Sequence, residues 1–299
     1  MPVIKEQHTW TPGAAAVTKD FELAKRPLHA VMLQWDVLGN SGAATLANAL
    51  TQCGTLIYLK DARGDVTPQW TAAELVKYQE AVLGKNVNYQ DGGTANDKLS
   101  VLQLILPMGR PMVGGNSSFP IGLLDPYVGY NPKGTPFLHI SVPADGGTMD
   151  TRHLKIIPLY GDAPFAYAKR WTPWTSQTVS TTGLTDWIVG DRGLWLESMI
   201  WETSSYNDAL ASDAPSILDI DIERGGKDAL FDGAVPNVLG ALLDDDTTAL
   251  DDWKYMCLSQ APFNDFRYCM NLFAETKVRV LGGVADAVKM AFSILNGTS

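Results

Sequence analysis

The sequence predicts an all-β protein with a few short helices, in which one β-rich unit is written twice. Three observations carry this expectation. Val31-Met32-Leu33-Gln34-Trp35-Asp36, an apolar run closed by Trp-acid, returns as Glu197-Ser198-Met199-Ile200-Trp201-Glu202, 166 positions later. A β-like segment ending in Arg-Gly follows each run, Leu56 to Arg63-Gly64 and then Ile217 to Arg224-Gly225, 161 positions apart. Lys98-Leu99-Ser100-Val101-Leu102 resembles Lys254-Tyr255-Met256-Cys257-Leu258, 156 positions apart. Echoes in one order with slowly drifting spacing mark a duplicated unit.

A chain of 299 residues has room for two ordinary domains or one large one. A hydrophobic content of 45% with 19% charge belongs to a folding chain, not a disordered one. The net charge of −10 disfavours a general nucleic-acid surface, since phosphates attract clustered Lys and Arg; a local basic patch is still allowed. Cys53, Cys257 and Cys269 include no CxxC pair and leave one thiol over, so small buried hydrophobes are expected rather than a disulfide framework or zinc site. Met1 to His8 lacks an apolar core of signal length, and no apolar stretch is long enough to span a bilayer. Synthesis and folding in a cytoplasm are expected.

Residues 1–20 read as an arm, because Thr11-Pro12-Gly13-Ala14-Ala15-Ala16 is loose and has no period. Such a segment costs entropy to order unless something binds it. Leu28–Asp36 is β-like. Ser41 caps a short helix through Leu50, and Leu56–Leu59 follows as a strand. Thr71-Ala72-Ala73-Glu74 is a capping box, with Leu75, Tyr78 and Val82 at helical spacing and Gly84 as the stop. The solvent face of this helix takes Lys77, Gln79 and Glu80. Residues 84–97, rich in Gly and Asn, read as a loop, and Leu99–Leu106 as a strand. Phe137–Val142 and His153–Ile157 are β runs around Ala144-Asp145-Gly146-Gly147, expected to form a hairpin-like pair closing the first half.

Residues 161–175 carry Pro164 and Pro173 around Phe165, Tyr167 and Trp171, which suits a linker pinned by aromatics. Thr and Ser from Thr175 to Thr185 favour strands. The second unit runs through Trp195–Trp201 and Ile217–Ile222. A short helix from Pro236 (Val238, Leu239, Leu242) follows, then an acidic stretch and a Trp253–Leu258 strand. The tail from Val284 to Leu295 fits helix and strand equally, and the repeat selects a closing strand.

Catalytic signatures are absent from the sequence: no GxSxG, Walker loop, strand-led GxGxxG or HExxH occurs. Gly114-Gly115-Asn116-Ser117-Ser118 reads as a turn. His8, His29, His139 and His153 are scattered. His139 and His153 would meet across the expected hairpin, but two histidines without a third ligand make a poor zinc site. Asp244-Asp245-Asp246 with Asp251-Asp252 lacks EF-hand spacing and its glycine, so a solvated loop is preferred to a cation site. Arg63-Gly64-Asp65 matches an integrin-binding tripeptide, a short match that arises by chance. The sequons Asn116-Ser117-Ser118 and Asn296-Gly297-Thr298 mean little without secretion. Trp174, Trp187, Trp195, Trp201, Tyr127 and Tyr130 suit a sugar-stacking surface or, by default, core and contact packing. Glu197 and Glu202 have an odd separation that would put them on opposite faces of a strand, which argues against a carboxylate pair. No catalytic, cofactor-binding or metal-binding residue is assigned, and no cofactor is expected.

The layout is an N-terminal arm, a β unit with a helix at Thr71–Leu83, a linker, a second β unit with a helix near Val238–Leu243, and a β-type C-terminus. With the paired Trp35-Asp36 and Trp201-Glu202 strands, it resembles the double jelly-roll major capsid proteins of tailless icosahedral viruses, the corticovirus and tectivirus lineage. The resemblance implies two tandem eight-stranded jelly-roll β-sandwiches: arm 1–20, first jelly roll 21–162, linker 163–175 and second jelly roll 176–299. It implies a non-enzymatic shell protein of the virion, made in the host cytoplasm. Three chains would form a pseudo-hexagonal capsomer. The implied partners are further copies of itself, neighbouring capsomers, penton or minor capsid proteins, and an internal membrane or genome reached by the arm. Lys5, Lys19, Lys25 and Arg26 supply positive charge near that end. Two other functions stay open: a β-sandwich carbohydrate-binding or virion-associated adhesion protein, and a hydrolase with a dispersed Asp or Glu pair.

Overall fold

Leu33, Trp35 and Val37 are fully buried, while Gln34 and Asp36 between them are partly exposed. This two-residue period makes Leu28–Gly39 a strand with one face in a core. The computed structural model describes residues 3–4, 7–39, 45–83, 87–92, 99–109, 127–145, 149–190, 194–203, 217–226, 253–257, 270–272 and 275–297. The chain divides into unit one (residues 1–170 with 298–299) and unit two (171–297).

In unit one the elements are β1 (Val3–Ile4), β2 (His8–Trp10), β3 (Val17–Glu22), β4 (Leu28–Gly39), α1 (Leu46–Cys53), β5 (Leu56–Asp61), β6 (Gly64–Asp65), α2 (Ala72–Leu83), β7 (Asn88–Gln90), β8 (Leu99–Pro107), β9 (Val128–Gly129), β10 (Phe137–Val142) and β11 (Met149–Tyr160). The larger sheet runs β11-β4-β8-β7, with β1 and β2 both on the far side of β11; the smaller runs β3-β10-β5-β6. The chain passes from one sheet to the other between β2, β3, β4 and β5, and again between β8, β10 and β11. Two four-stranded sheets visited this way, β2-β11-β4-β8 and β3-β10-β5-β6, are a jelly roll. Its core includes Phe21, Leu33, Trp35, Leu59, Leu138 and Leu154.

β12 (Tyr167–Trp171) crosses the unit boundary. Unit two then holds β13 (Thr175–Val179), β14 (Thr185–Val189), β15 (Trp195–Thr203), β16 (Asp219–Arg224), β17 (Trp253–Cys257), β18 (Met270–Asn271), β19 (Thr276–Leu281) and β20 (Asp286–Gly297). Its larger sheet has β17-β15-β20 with β13 on β20 and β18 on β15; its smaller sheet is β14-β19-β16. Trp187, Met199, Trp201, Ile220, Val278 and Met290 lie in its core.

The two units share strand pairing and register. Trp35 on β4 is opposite Leu102 of β8 and Leu154 of β11; Trp201 on β15 is opposite Lys254 of β17 and Met290 of β20. The duplication is real, and the protein is all-β with short helices and two tandem jelly rolls. The register refines the third echo: Leu102, not Lys98, is the counterpart of Lys254.

Several local expectations change. Within the expected arm 1–20 the described residues include three strands or parts of strands: β1 and β2 pair with β11, and β3 with β10. Phe21, Trp10 and Val17 supply enough apolar surface for two short strands, and unit one therefore begins ahead of residue 21. The unit boundary at 170/171 falls inside the expected linker 163–175, which itself carries β12 and the start of β13. Phe137–Val142 and His153–Ile157 do not pair as a hairpin; their connection crosses between sheets, as a jelly roll requires. The expected loop 84–97 contains β7, paired to β8. The first helix is capped at Thr45, whose hydroxyl accepts from Asn48 N; Ser41 lies outside the described residues, as do the expected helix near Val238 and the acidic stretch 244–252.

The capping box of α2 forms as expected, with Thr71 N donating to Glu74 Oε2 at 2.7 Å and Glu74 N to the Thr71 hydroxyl at 3.2 Å. Gln79, expected in solvent, is buried. Its Oε1 accepts from Ile105 N at 2.7 Å, beyond the reach of β7, and so protects the edge of β8. The tail is the strand β20.

Candidate functional surface

The outward faces of the sheets carry the polar chemistry of both units. Across the larger sheet of unit one, Asn88 donates to Gln103 (2.7 Å), Gln103 to Gln34 (3.1 Å) and Gln34 to Asp36 (2.9 Å). Lys155 Nζ closes the chain at 2.7 Å from Asp36. Burial opposes ionisation of Asp36, yet Lys155 and Gln34 together hold its carboxyl below the usual range. In unit two the acid after the repeated tryptophan is held the same way, Glu202 to Lys289 at 2.6 Å.

The smaller sheets carry ion networks. In unit one Asp20 receives Lys60 on one oxygen (2.7 Å) and His139 on the other (2.6 Å). Burial raises the Asp20 carboxyl, and the contacts with Lys60 and His139 together outweigh it and lower it. In unit two Arg279 reaches Asp186 (3.3 Å) and Glu223 (2.9 Å), beside Lys277 and Asp186 at 3.6 Å. Apart from His139, these groups escaped the sequence reading, although a polar residue at every second position of an apolar strand is the signal that finds them.

The sequence-selected residues do not come together. His139 stacks against Tyr58 and meets Asp20, His153 meets the Thr11 hydroxyl, His8 meets the Glu22 carbonyl and His29 packs edge-on to Phe165. Among the described residues no group of three or more His, Cys, Asp or Glu is placed to hold a metal ion. No helix among them is long and apolar enough to cross a membrane.

Arg63-Gly64-Asp65 is not a free recognition tip. Asp61, whose side chain has no exposure, takes the Arg63 guanidinium at 2.6 Å, the Tyr130 hydroxyl at 2.8 Å and Lys133 N at 3.1 Å. Asp65 accepts from Gln69 Nε2 at 3.1 Å. Gly64 has φ +104, a value that favours glycine at this turn.

Glu197 and Glu202 do not lie on opposite faces. A β-bulge between Leu196 and Ser198 adds a residue, and the Glu197 carboxylate accepts from the hydroxyls of Ser198 and its cross-strand partner Ser293, both at 2.8 Å. Ser198, Ile200 and Glu202 alternate on that same side. The two acids still form no pair, because Ser198 and Glu202 are about 13 Å apart along a strand and Glu202 is bound to Lys289.

Of the aromatics that suited a sugar platform, Trp187, Trp201 and Tyr130 are buried, and Lys289 sits 4.8 Å over Trp174. Tyr127 and Trp195 are exposed, each in a different unit. Core packing, the default reading, accounts for the buried ones. Gly114–Ser118, both its serines and the sequon there lie outside the described residues.

Two jelly rolls written in tandem on one polypeptide make the chain a double jelly-roll protein. Its fold is similar to that of the major capsid protein P2 from bacteriophage PM2, with a TM-score of 0.65 and 10% identity over 100% of this chain and 98% of that one. It is similar as well to the atomic structure of Sulfolobus Turreted Icosahedral Virus (TM-score 0.66, 11% identity, 98% and 90% covered) and to the PBCV-1 virus capsid (TM-score 0.58, 7% identity, 99% and 94% covered). No family model matches the chain, and no curated protein matches it in sequence.

Proposed function

We propose that this protein is a structural virion protein, a major capsid protein whose trimers form the pseudo-hexagonal capsomers of an icosahedral shell. The observation that carries the reading is the tandem jelly roll itself, aligned end to end with the P2 capsid protein, 100% of one chain on 98% of the other. The physical argument is geometric. Two similar sandwiches per chain turn a threefold trimer into a tile with near-sixfold outline, and such tiles close into a shell through contacts between copies. In this reading the role is structural rather than catalytic, and the location is the virion after synthesis in the host cytoplasm. The partners are further copies of the chain, neighbouring capsomers, and penton or minor capsid proteins. With β1, β2 and β3 all paired into the sheets of unit one, the charge that would meet an internal membrane or genome from this end is that of Lys5.

Light scattering of the purified chain, followed by electron microscopy, tests the proposal. Trimers or shells are the expected result. A monomer that binds glycans would overturn it and favour the carbohydrate-binding alternative. Removal of residues 1–7 is expected to leave trimers intact and to impair shell assembly; normal shells from that variant would remove the role of the terminus.

A further inference from the structure

The charge of the chain is divided unequally between its two units. Unit one has 15 Lys and Arg against 14 Asp and Glu, a net +1 with histidine neutral; unit two has 8 against 19, a net −11. A shared fold does not require this difference. It shows on the outward side of the smaller sheet of unit two, opposite the core residues Trp187, Ile220, Ile222, Val278 and Val280. Asp186 on β14, Lys277 and Arg279 on β19, and Asp219, Asp221 and Glu223 on β16 lie in register there, with Glu275 at 3.2 Å from Lys277. Among the described residues of this face the carboxylates outnumber the cations, and Glu275 keeps 51% of its side chain exposed.

The same face carries apolar side chains in solvent. Leu184 and Ile188, two residues to either side of Asp186, are 40% and 66% exposed. The matching residues of unit one, Thr18 and Glu22 around Asp20, are polar, so the jelly roll itself does not call for leucine and isoleucine here. Exposed apolar groups rimmed by charge mark a contact surface. Its charge decides what can cover it. Set against the same face of another copy, carboxylate would meet carboxylate within the Debye length of about 8 Å, where salt screens little. Unit one opposes no such excess: Asp36 is matched there by Lys155, and Asp61 by Arg63.

We infer that the face of unit two around Asp186 and Ile188 docks on unit one of a second copy, and that the charge difference between the units keeps two copies of unit two apart. The inference rests on the shell reading and adds to it the surface used and the reason for its selectivity. A threefold assembly can gather its three acidic units at the axis or set each beside unit one of the next copy. Like-charge contact penalises the first arrangement and leaves the second, so specificity comes from the pairing that is disfavoured as much as from the one that forms.

The full chain, with a benzophenone amino acid in place of Ile188, is mixed with isotope-labelled chain, irradiated and read by mass spectrometry, with light scattering in parallel. Links between copies are expected to run from position 188 into residues 1–170. Links that fall mainly in residues 171–297 of an intact trimer overturn the inference and leave the shell reading standing. A monomer by light scattering overturns the shell reading, and the inference with it. Asp186→Asn, Glu223→Gln and Glu275→Gln together are expected to raise links between two copies of unit two severalfold. An unchanged distribution in that variant overturns the role of charge. Should it misfold, the unsubstituted acidic face at about 1 M salt, where the Debye length is about 3 Å, serves instead, and the absence of the same rise overturns it equally.

Discussion

Trp35 and Trp201 occupy the same lattice point in the larger sheets of their respective jelly rolls. Each is buried in the core of its unit, each stands between the two strands that flank it in the sheet, and each is followed by an acid bound to a lysine, Asp36 to Lys155 and Glu202 to Lys289. Trp35→Ala and Trp201→Ala are each expected to cost about 3–5 kcal/mol, from lost transfer energy and the cavity left behind. Trp35 Nε1 is buried with no acceptor, so Trp35→Phe sacrifices no hydrogen bond. It is expected to cost about 1–2 kcal/mol. Urea denaturation of the three variants checks both figures.

The lysine partners differ in what they touch. Lys289 lies over the Trp174 ring as well as against Glu202. Glu202→Gln is expected to cost about 0.5–1 kcal/mol, as for a half-buried pair, and Lys289→Ala more, because the aliphatic stem and the cation–π contact go with the charge. A double-mutant cycle with Trp174→Leu separates the two contributions; equal costs for the single variants would contradict the ring contact.

Asp61 anchors the β5–β6 turn to the 130–133 segment. Burial alone would raise its carboxyl, but the Arg63 guanidinium, the backbone N–H groups of Arg63 and Lys133, and the Tyr130 hydroxyl hold it below the usual range. A lowered folded value contributes stability above the unfolded value of about 4, lost as pH falls through the folded one. Asp61→Asn is therefore expected to destabilise the chain at neutral pH and to flatten its acid unfolding curve below about pH 4, measured by circular dichroism against pH.

Cys53 is fully buried at the C-terminal end of α1, and burial pushes its thiol up to about 12, with Arg152 opposing. A raised folded value means that its share of stability is intact below the unfolded value of about 8.5 and disappears as pH climbs towards the folded one. Cys53 is expected to resist iodoacetamide in the native chain at about pH 8 and to react on unfolding. Cys53→Ser should lessen the alkaline loss of stability, and rapid native alkylation at this position would contradict its burial.

The α2 capping box gives a local test. Thr71→Ala removes the acceptor for Glu74 N and is expected to cost about 1 kcal/mol. Gln79→Leu leaves Ile105 N buried without an acceptor and is expected to cost about 1–3 kcal/mol, despite the gain of apolar volume. Thermal melts rank the two; a stabilising Gln79→Leu would contradict its role at the edge of β8.

Much of this architecture is legible in the sequence. The Trp-acid echo marked β4 and β15, alternation marked β10, the Thr71–Glu74 spacing marked the start of α2, and the repeat itself chose strand over helix for β20. These signals are local, or depend only on one stretch resembling another. What escaped was non-local. Trp10 pairs with Leu154 and Phe21 with Leu138, so the strands of residues 8–22 exist only because partners far along the chain complete their hydrogen bonds. Read alone, the same residues look like a loose arm.

The sequence by itself determined that the chain is β-rich and duplicated, because period-two alternation and repetition are properties of order along the polymer. Tertiary structure alone decided the rest. It set which sheet receives each strand, turned Gln79 inward to the buried edge of β8 beyond β7, let a single-residue bulge carry Glu197 to the face of Ser198, and put His139 in one unit where Arg279 stands in the other. Each of those outcomes depends on hydrogen-bond register between distant strands, and register is settled when two faces must bury their apolar sides against each other at once.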